Sequence, residues 1–370
     1  MRGRLLLVAL LASALAAGCF EWTEDPQGNL KSVGVPGVSV WKAKDQPTPS
    51  LSSEAVRDRQ IADIDPETAD LAAEGPANGA WIVELNRWRT MAGVGRVGEN
   101  PMLTYESQQH ARYLVKQGPT DNRAFGLYAR ALGGGAHRED PGSPYYTREG
   151  AEGARGGKIY PSVRQSADVA WGEKDEVDDI DGLLAYPFHR ISLLAPWVEV
   201  AGYGSDGEYP RRVAALALRG KMETSMETSE EATPVEFPPN GATMPVGAVT
   251  RMEWPDPLAS CPGYQRPTGL PITVQVGHLI EVESFSLKDE TTGDKVEACA
   301  FDFASYSNPD PGQQSSARAA LKRFGAAVLI PREPLTAGHR YNVEIKTHRH
   351  AFSWSFSIGG EAKAQRPGSA

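Results

Sequence analysis

The stretch GGGAHREDPGSPYYTREG, residues 133–150, sets His137 beside Glu139 and Asp140 in a glycine-rich loop. An imidazole next to carboxylates can move a proton or hold a metal ion. The same residues also suit a surface turn, with Asp140 binding backbone amides beside Pro141. The loop is thus an active-site wall, a metal site or an anchored surface loop. Tyr145 and Tyr146 either stack on a ligand or wedge the loop onto the core. His110 falls on the apolar face of a helical segment and reads as a core histidine with a satisfied hydrogen bond. His348 and His350 are two apart in a strand-like segment, so they share a face. Chelation there competes with a plainer reading, a solvated basic face. The chain has no Gly-x-Ser-x-Gly elbow, phosphate-binding loop, HExxH or CxxC, so nothing points to a nucleotide or redox cofactor.

The N-terminus, MRGRLLLVALLASALAAGCF, has a basic start, a short apolar stretch and small residues before Cys19. Residues 1–18 read as a secretory signal. The cysteine after small residues resembles the lipobox of bacterial lipoproteins, in which that thiol carries lipid. Three cysteines are present. If lipid consumes Cys19, Cys261 and Cys299 remain as a pair, and an exported compartment permits a disulfide between them. Loss of Arg2 and Arg4 with the signal takes the formal charge from −9 to −11. No long basic run is present, so nucleic-acid binding lacks its electrostatic footprint.

The 370 residues suggest two or three domains. Residues 19–54, rich in Pro, Gly and Ser, read as a tether. Trp81, Leu85 and Trp88 recur at helical spacing, with Asn78 as N-cap and Gly93 as stop. Leu103, His110, Ala111 and Leu114 share a second helical face that Gly118 ends. A further helical stretch covers about 175–187, and RRVAALALRG reads as a strand. Helices, loops and late strands suggest that residues 55–220 form an α+β or three-layer domain. Residues 221–236 read as a polar linker. From 237 to 360 the pattern turns to period two: Phe352, Trp354, Phe356 and Ile358 alternate with serines, and Tyr341, Val343 and Ile345 alternate likewise. That is the pattern of an all-β, Ig-like sandwich. Residues 361–370 read as a disordered tail.

Four segments of the middle domain, in order, resemble the CAP superfamily. LNRWRTMAGV (85–94) and ESQQHARYLVKQG (106–118) are similar to its first two helices. AHRED around His137 and YPFHRISLLAPWVEVAGYG (186–204) resemble its two cleft histidine segments. The resemblance covers residues 80–220 and implies an α-β-α sandwich with an open cleft lined by His137 and His189. In some members two such histidines hold a zinc-like divalent metal with two glutamates nearby. Here the segment SADVAWG (166–172) departs from the family pattern. Ala167 stands where a glutamate is expected and Asp168 where an asparagine is expected. Asp168, Glu173 and Glu176 are the candidates for the carboxylates, with Glu139 behind His137. Arg190 is expected to pair with a carboxylate and fix its loop.

These readings converge on an exported, lipid-anchored protein of a bacterial cell envelope, with outer membrane or surface favoured. A CAP-like domain would bind a ligand or surface partner through a cleft of His137, His189, Glu139 and Asp168, without turnover. The alternative is a metal-dependent hydrolase of peptide or cell-wall bonds, with metal on His137 and His189 and Asp168 or Glu173 as base. A structural or adhesive role for the sandwich is a third reading.

Overall fold

The computed structural model describes residues 21–24, 30–35, 38–42, 79–159, 163–221 and 234–360. The signal, Cys19, the C-terminal tail and most of the linker lie outside these residues. Strands β1 (Glu21–Glu24), β2 (Leu30–Val35) and β3 (Val38–Lys42) pair antiparallel. They lie in the stretch read as a tether.

The middle region runs α1 (Ala80–Met91), β4 (Gly98–Glu99), α2 (Pro101–Gln117) and α3 (Asn122–Leu132), then a 3-10 turn (Gly133–His137) and α4 (Arg148–Gly153). It continues with β5 (Val163–Trp171), α5 (Glu176–Ala185), α6 (Pro187–Leu193), β6 (Val200–Asp206) and β7 (Val213–Lys221). The four strands form one sheet in the order β4-β6-β7-β5, with only β4 and β6 parallel. Helices cover both faces, and the alternation of β6 decides which. Tyr203 stacks on Trp81 of α1 with ring centroids 5.4 Å apart. Gly202 and Gly204 point the other way, where α2 lies across the strand. A Cβ on Gly202 would sit 2.2 Å from the α2 backbone, and one on Gly204 2.1 Å. The Gly-x-Gly spacing is therefore a helix-docking groove.

The expected helical faces are buried, with Leu85, Leu103, His110 and Leu114 at 0% exposure. Gly79, not Asn78, holds the N-cap position of α1. Asn100 caps α2 by accepting from the amides of Met102 and Leu103, with Pro101 opening the first turn.

The C-terminal region has two four-stranded sheets. One is β14 (Ala298–Phe301), β15 (Ala326–Pro331), β12 (Ile272–Gln275) and β8 (Val235–Phe237) in that order. The other is β13 (Val282–Asp289), β16 (Arg340–Thr347), β17 (Ala351–Ile358) and β9 (Thr243–Met244). A two-stranded pair, β10 (Ala248–Val249) and β11 (Thr268–Gly269), completes it. The alternating side chains of β16 and β17 face inward as expected. The region is not all-β, however. Helix α7 (Pro311–Phe324) intervenes, capped by Asp310 and stopped by Gly325 at φ 56°. The expected disulfide joins Cys261 to Cys299, with Cα atoms 5.8 Å apart. It spans 38 residues, which on the chain-entropy model is worth roughly 3–4 kcal/mol. The whole is an α+β chain.

The two regions share one core. Trp88 packs on Phe237 at 5.6 Å, Trp197 stacks on Phe324 at 6.2 Å, and Phe188 meets Tyr306 edge-on at 5.8 Å. Arg190 binds the seam. Its buried guanidinium donates to the carbonyls of Leu184 (2.6 Å) and Ala185 (2.9 Å) on one side and of Pro271 (2.7 Å) on the other, and lies over the Phe237 ring. The expectation of a carboxylate partner is thus corrected: carbonyls take all of its close bonds. Burial pulls its pKa down to about 9. Among the described residues no helix is long and apolar enough to cross a membrane.

Candidate functional site

His189 sits on α6, the short helix that Pro187 starts immediately after α5. Its Nδ1 meets Asp168 Oδ1 of β5 at 2.8 Å. The other Asp168 oxygen accepts the Ser192 hydroxyl at 2.6 Å, one turn further along the same helix. Both oxygens of Asp168, itself 4% exposed, are therefore engaged. A proton on Nδ1 directed at Asp168 makes Nε2 the ring's acceptor. Nε2 has no protein partner among the described residues. Burial works against a charge on His189, but the Asp168 hydrogen bond and the charges of Glu253 and Asp168 outweigh it and raise its pKa.

His137 ends the 3-10 turn that follows α3. It is half-buried. Burial pulls its pKa down to about 4, and the neighbouring rings of His110 and His189 push the same way. Asp168 and a hydrogen bond to the Ala154 backbone oppose them. His137 is thus neutral at pH 7, and it lies in one electrostatic neighbourhood with Asp168 and His189. The two histidines lie 52 positions apart, and Asp168 of β5 bonds His189 and acts electrostatically on His137.

Glu139, expected to face the cleft, is buried at 3% exposure. Its oxygens take His110 Nδ1 at 3.0 Å and the Thr147 amide at 3.2 Å. His110 Nε2 meets the Ala136 carbonyl at 2.7 Å. This pair anchors the loop bearing His137 from within. Asp140 binds the Gly142 amide at 2.9 Å, the expected turn. Tyr145 packs against the cluster of Phe125 and Tyr128, the wedge rather than a stacking platform.

Glu173 is held in an ion pair by Arg251, and burial raises its pKa to about 7. Glu176 accepts the Trp81 amide at 3.2 Å, on the other side of α5's start. His348 and His350 do not share a strand face. They lie in the connection between β16 and β17, where Thr347 donates to the His350 carbonyl. His348 turns to Glu283 at 2.6 Å, and His350 to the His278 ring at 5.4 Å.

The sequence reading missed Ser192, Glu253 and Trp254. Glu253 accepts the His189 amide at 2.9 Å. No local signal connects position 253 to position 189. Only the docking of the C-terminal region does so.

The implied metal fits this arrangement poorly. Two imidazoles offer two donors, and Asp168 is already spent on His189 and Ser192. Among the described residues no group of three or more His, Cys, Asp or Glu side chains is placed to hold a metal ion. These residues do not form a closed metal centre, and no chemical step is routed through one.

No family model matches the chain, and no curated protein matches it. Among solved structures it is similar to CopC from Methylosinus trichosporium OB3b. The identity is 12% and the TM-score 0.19, over 34% of this chain and 88% of that one. A likeness at that level carries no argument about this chain.

Proposed function

We propose that this chain is an exported, lipid-anchored cell-envelope protein that binds a ligand or surface partner through the groove of His137 and His189, without turnover. In this reading the middle region is a CAP-like domain and the C-terminal region an Ig-like sandwich. Helices on both faces of a mixed sheet support the first, and two four-stranded sheets around one core support the second. The disulfide is consistent with an exported chain.

One observation carries the preference for binding over turnover. Both candidate bases are occupied: Asp168 by His189 and Ser192, and Glu173 by Arg251. A carboxylate acts as a general base only with a free lone pair within reach of the proton it removes, so the acceptor left open here is His189 Nε2. What the groove offers instead is a neutral His137 and a held His189, a pair suited to hydrogen-bonding a polar group.

The full chain in detergent, incubated with purified peptidoglycan sacculi, tests this reading. The expected result is cosedimentation that falls at least tenfold in the double variant His137→Ala, His189→Ala, with no soluble fragments released. Release of fragments or peptides that needs added zinc and is lost in His189→Ala would establish the hydrolase instead. Absence of cosedimentation would remove peptidoglycan as the ligand. Fatty-acid labelling lost in Cys19→Ser tests the anchor.

A further inference from the structure

The segment Thr250–Asp256 leaves the C-terminal region and packs beside His189 and the turn that ends in His137. Arg251 pairs with Glu173 and approaches the carbonyl of Trp171, the last residue of the strand that carries Asp168, at 3.5 Å. Glu253 Oε1 accepts the His189 amide. Glu253 is 6% exposed, and its Oε2 is buried with no hydrogen-bond partner among the described residues. Trp254 lies flat against Gly133 and Gly134, the start of the turn that ends in His137. A Cβ on Gly133 would come within 2.9 Å of the indole, and one on Gly134 within 2.6 Å. Trp254 nevertheless keeps 36% of its surface in solvent.

We infer that the groove belongs to both regions: Glu253 is a positioning residue that holds His189 from the side opposite Asp168, and Trp254 is the groove's outer wall beside His137. The inference rests on the groove being a binding site, and it adds the residues that shape it.

Three observations support this assignment. First, the middle region's own β5 offers Ala167 and Asp168 here, and alternation turns only one of them toward His189. Asp168 is spent, so a second carboxylate has to come from outside the sheet. Second, the charged groups that act on the His189 ring are Asp168 from β5 and Glu253 from the C-terminal segment, and His189 itself acts on His137 of the 3-10 turn. Arg190 in turn faces Glu253. A buried carboxylate with one lone oxygen next to an imidazole is costly unless the ring repays it with charge. Third, the bare backbone of Gly133-Gly134 admits the indole. Any side chain there would push Trp254 off and open the groove. A partly exposed indole next to two imidazoles offers a ligand an apolar face to stack on and polar groups to bind.

The test needs no ligand, so its outcome is separate from that of the sacculus experiment. In the full chain, the C2 proton of each histidine is followed by NMR against pH. In Glu253→Gln the His189 midpoint should move to lower pH, while His339, held by Asp289, stays in place. Glu253→Asp, which keeps the charge, should restore most of the shift. An unmoved His189 midpoint in a folded Glu253→Gln protein overturns the positioning role. Trp254→Ala supplies an independent arm that does not depend on how Glu253 variants fold. Deuterium uptake at 133–137 and carbethoxylation of His137 should both rise at least threefold. Unchanged uptake and carbethoxylation would show that Trp254 does not wall the groove, and would overturn the shared site.

Discussion

Asp168 Oδ1 and His189 Nδ1 lie 2.8 Å apart, joining the sheet to the helix that follows a proline break. Because Ser192 takes the other Asp168 oxygen, this one carboxylate fixes both the ring and the helix that bears it. An amide in its place keeps the shape but loses the charge. Asp168→Asn should cost about 2 kcal/mol, the scale of a hydrogen bond to a charged group, read from chemical denaturation.

The same variant should alter the pH dependence. The folded-state pKa of His189 is raised, so its contribution to stability is fully present below the unfolded value of about 6.5 and is lost as pH rises through the folded value. In Asp168→Asn that loss should shrink or vanish. Denaturation midpoints collected from pH 5 to 9 give the comparison.

His137 acts with the opposite sign. Its folded-state pKa is about 4, below the unfolded value of about 6.5. The unfolded chain therefore takes up the proton first, and stability falls as pH drops between those values and levels off below. The loss attributable to this ring is up to about 3 kcal/mol. His137→Gln should remove that part of the acid sensitivity while leaving stability at pH 8 within about 1 kcal/mol of the parent. An unchanged acid limb in this variant would place the sensitivity in another group of depressed pKa, with His278, which burial also pulls down, the next to examine.

Arg190 donates to the carbonyls of both regions. Lysine keeps a charge but lacks the planar fork and cannot reach all three at once. Arg190→Lys should cost roughly 3 kcal/mol. It should also weaken the coupling of the two regions, so that one calorimetric transition broadens or splits into two.

Gly204→Ala tests the docking of α2 on β6. The added methyl meets the Gln108 backbone at 2.1 Å, and backbone cannot swing aside as a side chain can. Overpacking of this kind costs about 1–3 kcal/mol. The equivalent change at Gly126, in the exposed interior of α3 with nothing within 4 Å of its Cβ position, should instead stabilise by about 0.5–1 kcal/mol, and paired thermal melts would show the contrast.

Local pattern was enough for the elements of strong period. Trp81, Leu85 and Trp88 declared one buried helical face, and Phe352 to Ile358 declared an alternating strand, because burial of one face imposes those spacings directly on the chain. Helix α7 also carried its signals, Asp310 before Pro311 and a terminal Gly325. They were masked by the strands on either side, since period two in the neighbours says nothing about the segment between them. His348 and His350 misled for a related reason: two-residue spacing means a shared face only inside a strand, and these residues lie in the connection.

The sequence, through its resemblance to the CAP superfamily, named His137, His189 and Asp168 as candidates for one site. Tertiary structure alone decided what they are free to do. Whether Asp168 is a base or a brace depends on Ser192 and His189 reaching its two oxygens, and whether Arg190 meets a carboxylate or carbonyls depends on where Pro271 arrives. Glu253 and Trp254 entered the site only because an apolar seam around Arg190 and Phe237 brings a remote segment against the groove. Such contacts are set by long-range packing and the burial of shared surface, which leave no periodic mark on the local chain.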